Sequence, residues 1–257
     1  MSVTSSAVRP RVLDATQTAA LQGWTDEIEA WPAGSHVFGH YAERTPRGDV
    51  ICRTENVSAC HAGIAELVDG PLRDAAAQAV GAPVTAFKDK LNYKQPGGAG
   101  FRPHQDRVAY PGVDRVLSIL VALDECTTES GCLFLADGVE QVLATDDRGV
   151  VRDDIAQSLE WRAAELAPGD AVLIDGLAPH FSEANQGDRA RRVLVASYSP
   201  ASEGYSRDQY YAARAATMAS ASERDGRFRI STLADFAGDE VSIAAPATDR
   251  CTHPVPA

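Results

Sequence analysis

Between residues 84 and 200 the chain is cut into short apolar runs, and this punctuation constrains its fold more than any other feature. The runs VLSILVALD, CLFLA, LEWRAAEL, AVLI and RRVLVASY are set off by QPGGAG, TTESG, APGD and DGLAP. Gly and Pro at such points demand turns. Runs this short, rich in Val, Leu and Ile, read as strands rather than helices. Helical patterns precede them. Many short strands with Gly/Pro turns after a helical segment predict a jelly-roll sandwich with flanking helices. A chain of 257 residues is long enough for one such domain with a sizeable core. The expected division is a mostly helical part over 1–83, a jelly-roll core over 84–200, and a helix with a tail over 201–257.

One segment, FRPHQDRVAY at 101–110, carries His104 and Asp106. On a strand, residues i and i+2 point to the same face, so an imidazole and a carboxylate project side by side. His180 follows 76 positions after His104 (180 − 104), in LAPHFSEAN. Two His and one carboxylate on one face of a metal leave three positions open, the ligand set of non-haem Fe(II) oxygenases. H-x-D alone is a weak signal, because any chain with several His shows it by chance. Its company strengthens it. Arg191 lies eleven positions past His180 and opens an apolar strand, and Ser182 lies two past it. A buried Arg is a natural fork for a carboxylate, and a nearby hydroxyl can add a hydrogen bond.

The run FKDKLNYK at 87–94 alternates Lys88, Lys90, Asn92 and Lys94 with Asp89, Leu91 and Tyr93. Its cationic face is either the solvated side of an antiparallel sheet or the lining of a pocket. Lys94, near the strand end, is expected at the surface.

Taken together, KLNYKQPG, FRPHQD, VLSILVALDECTTESGCL, LEWRAAELAPGDAVLIDG and PHFSEANQGDRARRVLVASY run in order over residues 90–198. In that order and spacing they resemble the phytanoyl-CoA dioxygenase (PhyH) superfamily of Fe(II)/2-oxoglutarate-dependent oxygenases. The resemblance implies a double-stranded β-helix in which His104, Asp106 and His180 hold Fe(II) as the catalytic centre. It implies 2-oxoglutarate bound by Arg191, Ser182 and Asn92, with O2 as oxidant. Lys88 or Lys90 would face the co-substrate or an anionic group of the substrate. Arg102 and Arg107 flank the triad and would suit a phosphonate, phosphate or carboxylate. KDKLNYKQPGG and SEGYSRDQYY look most like the branch that includes 2-aminoethylphosphonate hydroxylases. Related halogenases replace the carboxylate ligand with a small residue so that chloride can bind iron. Asp106 therefore implies hydroxylation or a related oxidation of a C–H bond in a small polar metabolite, with release of succinate and CO2. Natural-product tailoring and amino-acid hydroxylation stay open within the same superfamily. The chain departs from the family at ADGVEQ, 136–141, where many relatives carry a PGSH-like turn. That loop often borders the pocket, so relatives' substrates do not simply carry over.

Two other readings compete. One is a cupin-like metal enzyme using the same triad without 2-oxoglutarate; the other is a non-catalytic binding protein that kept the fold. A net charge of −12 without a basic block argues against a nucleic-acid or anionic-membrane partner. No apolar run approaches membrane-spanning length, and no charged-then-apolar leader opens the chain. A small-molecule substrate, a cytoplasmic location and a monomer or homodimer are expected. Cys52, Cys60, Cys126, Cys132 and Cys251 are scattered, form no CxxC pair and read as reduced thiols.

The first ten residues read as a loose arm. A helix should follow, capped by Asp14 with Gln17, carrying Leu21, Trp24, Ile28 and Trp31 on one stripe and ending at Pro32. Short strands over 36–54 with a turn at 46–49, and helices over 57–68 and 71–80, come next. His36, His40 and His61 read as structural or exposed, with His40 and Tyr41 candidates for the pocket mouth. Residues 139–157 read as an acidic surface insertion. A helix capped by Ser206 and Gln209 is expected to cover a sheet edge rather than to close over the pocket.

Overall fold

The computed structural model describes residues 6–31, 39–45, 48–214 and 216. Pro32, His36, half of the 46–49 turn, the helix beyond residue 216 and the tail with His253 lie outside them.

Two antiparallel sheets face each other. The large one has seven strands in the order β1 (Ala7–Arg9), β9 (Ala171–Asp175), β6 (Leu117–Ala122), β11 (Arg191–Pro200), β4 (Val84–Lys94), β3 (Gly48–Glu55) and β2 (Gly39–Thr45). The small one runs β5 (Phe101–His104), β10 (His180–Ser182), β7 (Leu133–Leu135) and β8 (Arg162–Ala164). This is a jelly roll. At its centre β4 and β11 pair from Arg191↔Lys94 to Pro200↔Val84, with one bulge between Ser197 and Tyr198. All six side chains of β6 are buried, which is why LSILVA reads as a continuous apolar run rather than an alternating one.

The helices cover the outer face of the large sheet. In α1 (Ala15–Glu29) the Asp14 carboxylate accepts from Gln17 N at 2.8 Å, while Gln17 Oε1 accepts from Asp14 N at 3.0 Å. This reciprocal cap satisfies two of the donors that a helix start leaves open. Leu21, Ile28 and Trp31 are buried and Trp24 packs beside them. α2 (Ala62–Asp69) is shorter than the 57–68 pattern predicts, because residues 57–59 form a tighter 3-10 turn. His61 then caps α2, its Nδ1 accepting from Ile64 N at 3.2 Å. α3 (Pro71–Val80) begins with Pro71, where no backbone donor is needed. Leu91, Tyr93, Leu194 and Tyr198 meet these helices in one core. A second core, with Leu120, Val172, Val193 and Val195 against Leu135, Ala164 and Leu166, fills the space between the sheets.

Four expectations are corrected here. First, β5 stops at His104, and Asp106–Ala109 form a 3-10 turn, so Asp106 leaves the strand on which it was placed. Second, residues 139–157 lie mostly at the surface, as expected, but the segment is tied to the roll rather than set apart from it. Val150 and Val151 are buried, Val151 N donates to Pro103 O at 2.8 Å, and a one-turn helix α4 (Asp153–Ala156) follows. Third, the helix at 207–214 covers more than the sheet edge: Arg214 lies over Tyr41 of the edge strand β2, but the helix also reaches interior strands. Arg207 pairs with Asp89 of β4 and Arg214 with Glu55 of β3, and Tyr210 is buried among Phe87, Tyr110, Val113 and Val116. Fourth, Cys52, Cys126 and Cys132 are free thiols, but Cys60 is disulfide-bonded.

Candidate active site

Register explains how two histidines 76 positions apart meet. β5 and β10 are antiparallel neighbours, and His104 and His180 are direct cross-strand partners. Their ring centroids are 4.2 Å apart. Asp106 reaches them from the 3-10 turn, its Oδ1 lying 3.9 Å from His180 Nε2. The donor atoms of His104, Asp106 and His180 all fall within 4.8 Å of one another.

The surroundings fix how these groups present themselves. His104 Nδ1 lies 2.7 Å from Arg102 O, and His180 Nδ1 lies 3.0 Å from Ala178 O. A carbonyl can only accept, so each Nδ1 carries the proton and each Nε2 keeps a free lone pair for a metal. Burial first, then His180, pushes His104 down to about 3, so it is a neutral imidazole. Burial alone would raise the Asp106 carboxyl. His180, His104, Lys90 and Lys88 outweigh it and hold the group well below the ordinary carboxylate range. Ser118 Oγ of β6 donates to Asp106 Oδ2 at 2.8 Å and lies 3.0 Å from Ser197 Oγ of β11. Two His and one carboxylate, each oriented by a backbone or hydroxyl partner, fit a divalent transition metal such as iron.

β4 presents its alternating polar residues to this space. Lys88 is buried, its Nζ donating to Tyr110 Oη at 2.9 Å and lying 5.4 Å from the Tyr210 ring centroid. Lys90 is half-buried; burial, then Arg53 and Lys88, push its ammonium well below the ordinary lysine range. Asn92 Oδ1 accepts from Arg53 Nε at 3.2 Å. The solvated-face reading of FKDKLNYK therefore fails. Lys94, expected at the surface, is 5 % exposed and donates to Ser182 Oγ at 2.8 Å. The strand end is roofed by the 131 and 183 loops, which sequence spacing does not reveal. Arg191 is buried opposite Lys94, donating through Nη2 to Gly131 O at 2.9 Å, while its Nε has no hydrogen-bond partner. An unpartnered donor on a buried guanidinium fits a carboxylate that is to be bound.

Arg107 takes a different position from the lysines. Its guanidinium donates to Tyr110 O at 3.1 Å and Asp114 O at 3.1 Å, which ties down its own turn. His40 faces away from the site, its Nδ1 lying 2.8 Å from Thr54 Oγ1, whereas Tyr41 lies beneath Arg214 on the Glu55 side.

Sequence reasoning passed over several residues. Arg53 is buried, pairs with Glu55 at 3.2 Å and lies 5.7 Å above the Phe101 ring. Gln105, between the two motif residues, donates to Gln141 O at 2.9 Å and to Leu177 O, and accepts from Leu143 N at 2.8 Å. It thereby holds the 139–144 segment and the approach to His180. The signal for Gln105 was its place inside H-Q-D; Arg53 offered little, because apart from Glu55 on its own strand its contacts, Asn92 and Phe101, lie on other strands.

Comparison with known proteins agrees with this architecture. The family model described as phytanoyl-CoA dioxygenase (PhyH) matches residues 6–193. A methylphosphonate hydroxylase of Gimesia maris is 36% identical over 233 residues, covering 89% of this chain and 90% of its own. A 2-aminoethylphosphonate dioxygenase of an uncultured bacterium is 35% identical over 198 residues, covering 74% and 76%. Among solved structures, EctD from S. alaskensis with 2-oxoglutarate and 5-hydroxyectoine superposes with a TM-score of 0.66 at 24% identity, over 77% of this chain and 73% of that one. At that identity the likeness is one of fold. Among the described residues, no helix is long and apolar enough to cross a membrane.

Proposed function

The chain belongs to the phytanoyl-CoA dioxygenase family of non-haem iron, 2-oxoglutarate-dependent oxygenases, and from that premise we propose that it hydroxylates a C–H bond of a small phosphonate. The observation that carries this reading is the cationic wall beside the His–Asp–His cluster. Lys88, Lys90 and Arg53 converge there, with Asp106 and Glu55 the acids facing them among the described residues. A phosphonate dianion supplies the charge and the acceptor oxygens such a wall lacks. Two relatives named for phosphonates, at 36% and 35% identity, support the choice.

Each residue then has a task. His104, Asp106 and His180 hold iron, with Nδ1–H···O=C bonds and Ser118 fixing their orientation. Arg191, Ser182 and Asn92 receive 2-oxoglutarate, Arg191 through its unpartnered Nε. Lys88 and Lys90 hold the anionic head of the substrate, while Arg107 braces the turn that carries Asp106. Tyr110, Tyr210 and Phe87 wall the space on the Lys88 side and exclude water, which strengthens each charge contact. When bound, iron and 2-oxoglutarate supply the oxidation: one oxygen atom of O2 enters the substrate, the other enters succinate, and CO2 leaves.

The test is a substrate panel. Protein with Fe(II), 2-oxoglutarate and O2 is offered methylphosphonate, 2-aminoethylphosphonate, the corresponding carboxylates and small phosphate esters. Succinate release above background, matched by a one-oxygen mass gain, is expected for phosphonates. Coupled release with carboxylates or esters but with no phosphonate would overturn the substrate class.

A further inference from the structure

Lys94 and Arg191 are direct cross-strand partners in the β4–β11 pair, and both point into the roll. Like charges placed opposite each other destabilise a sheet, and burial makes the repulsion worse. No carboxylate pairs with either group among the described residues. Instead the two cations converge on one acceptor. Gly131 O takes Arg191 Nη2 at 2.9 Å and Lys94 Nζ at 3.2 Å. Lys94 also donates to Ser182 Oγ at 2.8 Å and to Glu183 O. Gly131 has φ +73°, and a Cβ there would lie 2.9 Å from Lys94 Nζ, so this close approach needs glycine.

We propose that Lys94 is a second cation of the co-substrate site, forming with Arg191 a two-point seat for the distal carboxylate and holding Ser182 in place to donate to it. The proposal rests on the 2-oxoglutarate reading above and adds to it a residue whose position near the strand end pointed to the surface. A carboxylate seated between Lys94 and Arg191 turns their repulsion into two attractions and gives the unpartnered Arg191 Nε an acceptor. An ammonium so placed is disfavoured unless an anion lies beside it. Burial first, then Arg191, push Lys94 down to about 6; Cys132, Glu43 and Glu183 face it but offset only part of this.

Equilibrium binding separates this role from a merely structural one. The protein is loaded with Fe(II) under nitrogen and titrated in a calorimeter with 2-oxoglutarate. It is then titrated with 2-oxovalerate, which keeps the 2-oxo acid and carries a methyl group in place of the distal carboxylate. Wild type should prefer 2-oxoglutarate strongly. Lys94→Met should weaken 2-oxoglutarate by about 10- to 100-fold, the loss of a charge-assisted bond, and leave 2-oxovalerate unchanged. Lys94→Arg should restore part of the preference. Lys94→Gln, which keeps a donor for Ser182 without the charge, gives the same reading should Lys94→Met fail to fold. A wild type that discriminates, beside folded Lys94 variants that discriminate equally well or weaken both keto acids alike, overturns the role of Lys94 alone. A wild type that binds the two alike overturns the 2-oxoglutarate reading together with it.

Discussion

The two faces of β4 are built from one strand of eleven residues, yet they do opposite things. The outer face, Leu91 and Tyr93, meets the helices in an apolar core, and Tyr93 Oη lies within hydrogen-bond reach of Thr54. The inner face holds Lys88 and Lys94 buried and Lys90 and Asn92 half-buried, with few acids among the described residues to offset them. An apolar buried face stabilises the fold; a buried cationic face costs stability unless something anionic arrives. Burial by itself therefore does not mark a core, and the uncompensated face is where ligands are to be sought.

The comparison breaks most sharply at the metal residues opposite the inner face. His104→Ala or Asp106→Ala should abolish iron-dependent turnover while thermal unfolding stays near wild type. Full activity in either would remove the cluster from the chemistry. Next in size is Arg191→Ala, which should raise the 2-oxoglutarate concentration for half-maximal rate by about 30-fold or more, because a bound carboxylate loses its fork. An unchanged requirement would transfer that role to another cation.

The outer face should answer in the other currency. Leu91→Ala is expected to cost about 2–5 kcal/mol of stability and to leave the 2-oxoglutarate requirement alone; a selective effect on turnover would blur the division between faces. The smallest effect concerns Glu55, which bridges Arg53 and Arg214 beside the inner face. Burial would raise its carboxyl, but Arg214, Lys88, Arg53 and Lys90 outweigh it and hold the group at about 2 against an ordinary 4.5. A carboxylate depressed in the folded state stabilises above about 4.5 and loses that contribution as pH falls toward about 2. Glu55→Gln should flatten stability across that window in acid denaturation. An unaltered acid limb would show that the pair does not govern it.

How much of this was legible beforehand follows from which interactions are local. Asp14 and Gln17 are three residues apart, and their cap could be read directly. Gly169, with φ +89° in A-P-G-D, marked its turn. The strand pattern of 84–200 gave the jelly roll. The residue types of the site stood in the chain, but the register that makes His104 and His180 partners belongs to the sheet, not to either segment. The end of β5 at His104 was invisible, since H-x-D reads the same on a strand or across a strand-to-turn junction. Lys94 was misjudged because strand ends are usually exposed, and its roof comes from the loops at 131 and 183. Arg53 and Glu55 share β3, but Arg214 reaches Glu55 from the helix at 207–214, a meeting that no single window of sequence contains.

The most direct measurement is an anaerobic titration. Fe(II) and then 2-oxoglutarate are added to the metal-free protein while the visible spectrum is recorded. The account predicts a weak charge-transfer band on addition of 2-oxoglutarate, absent in His180→Ala. Iron binding without such a band would contradict it, leaving a metal site on this fold that does not use 2-oxoglutarate.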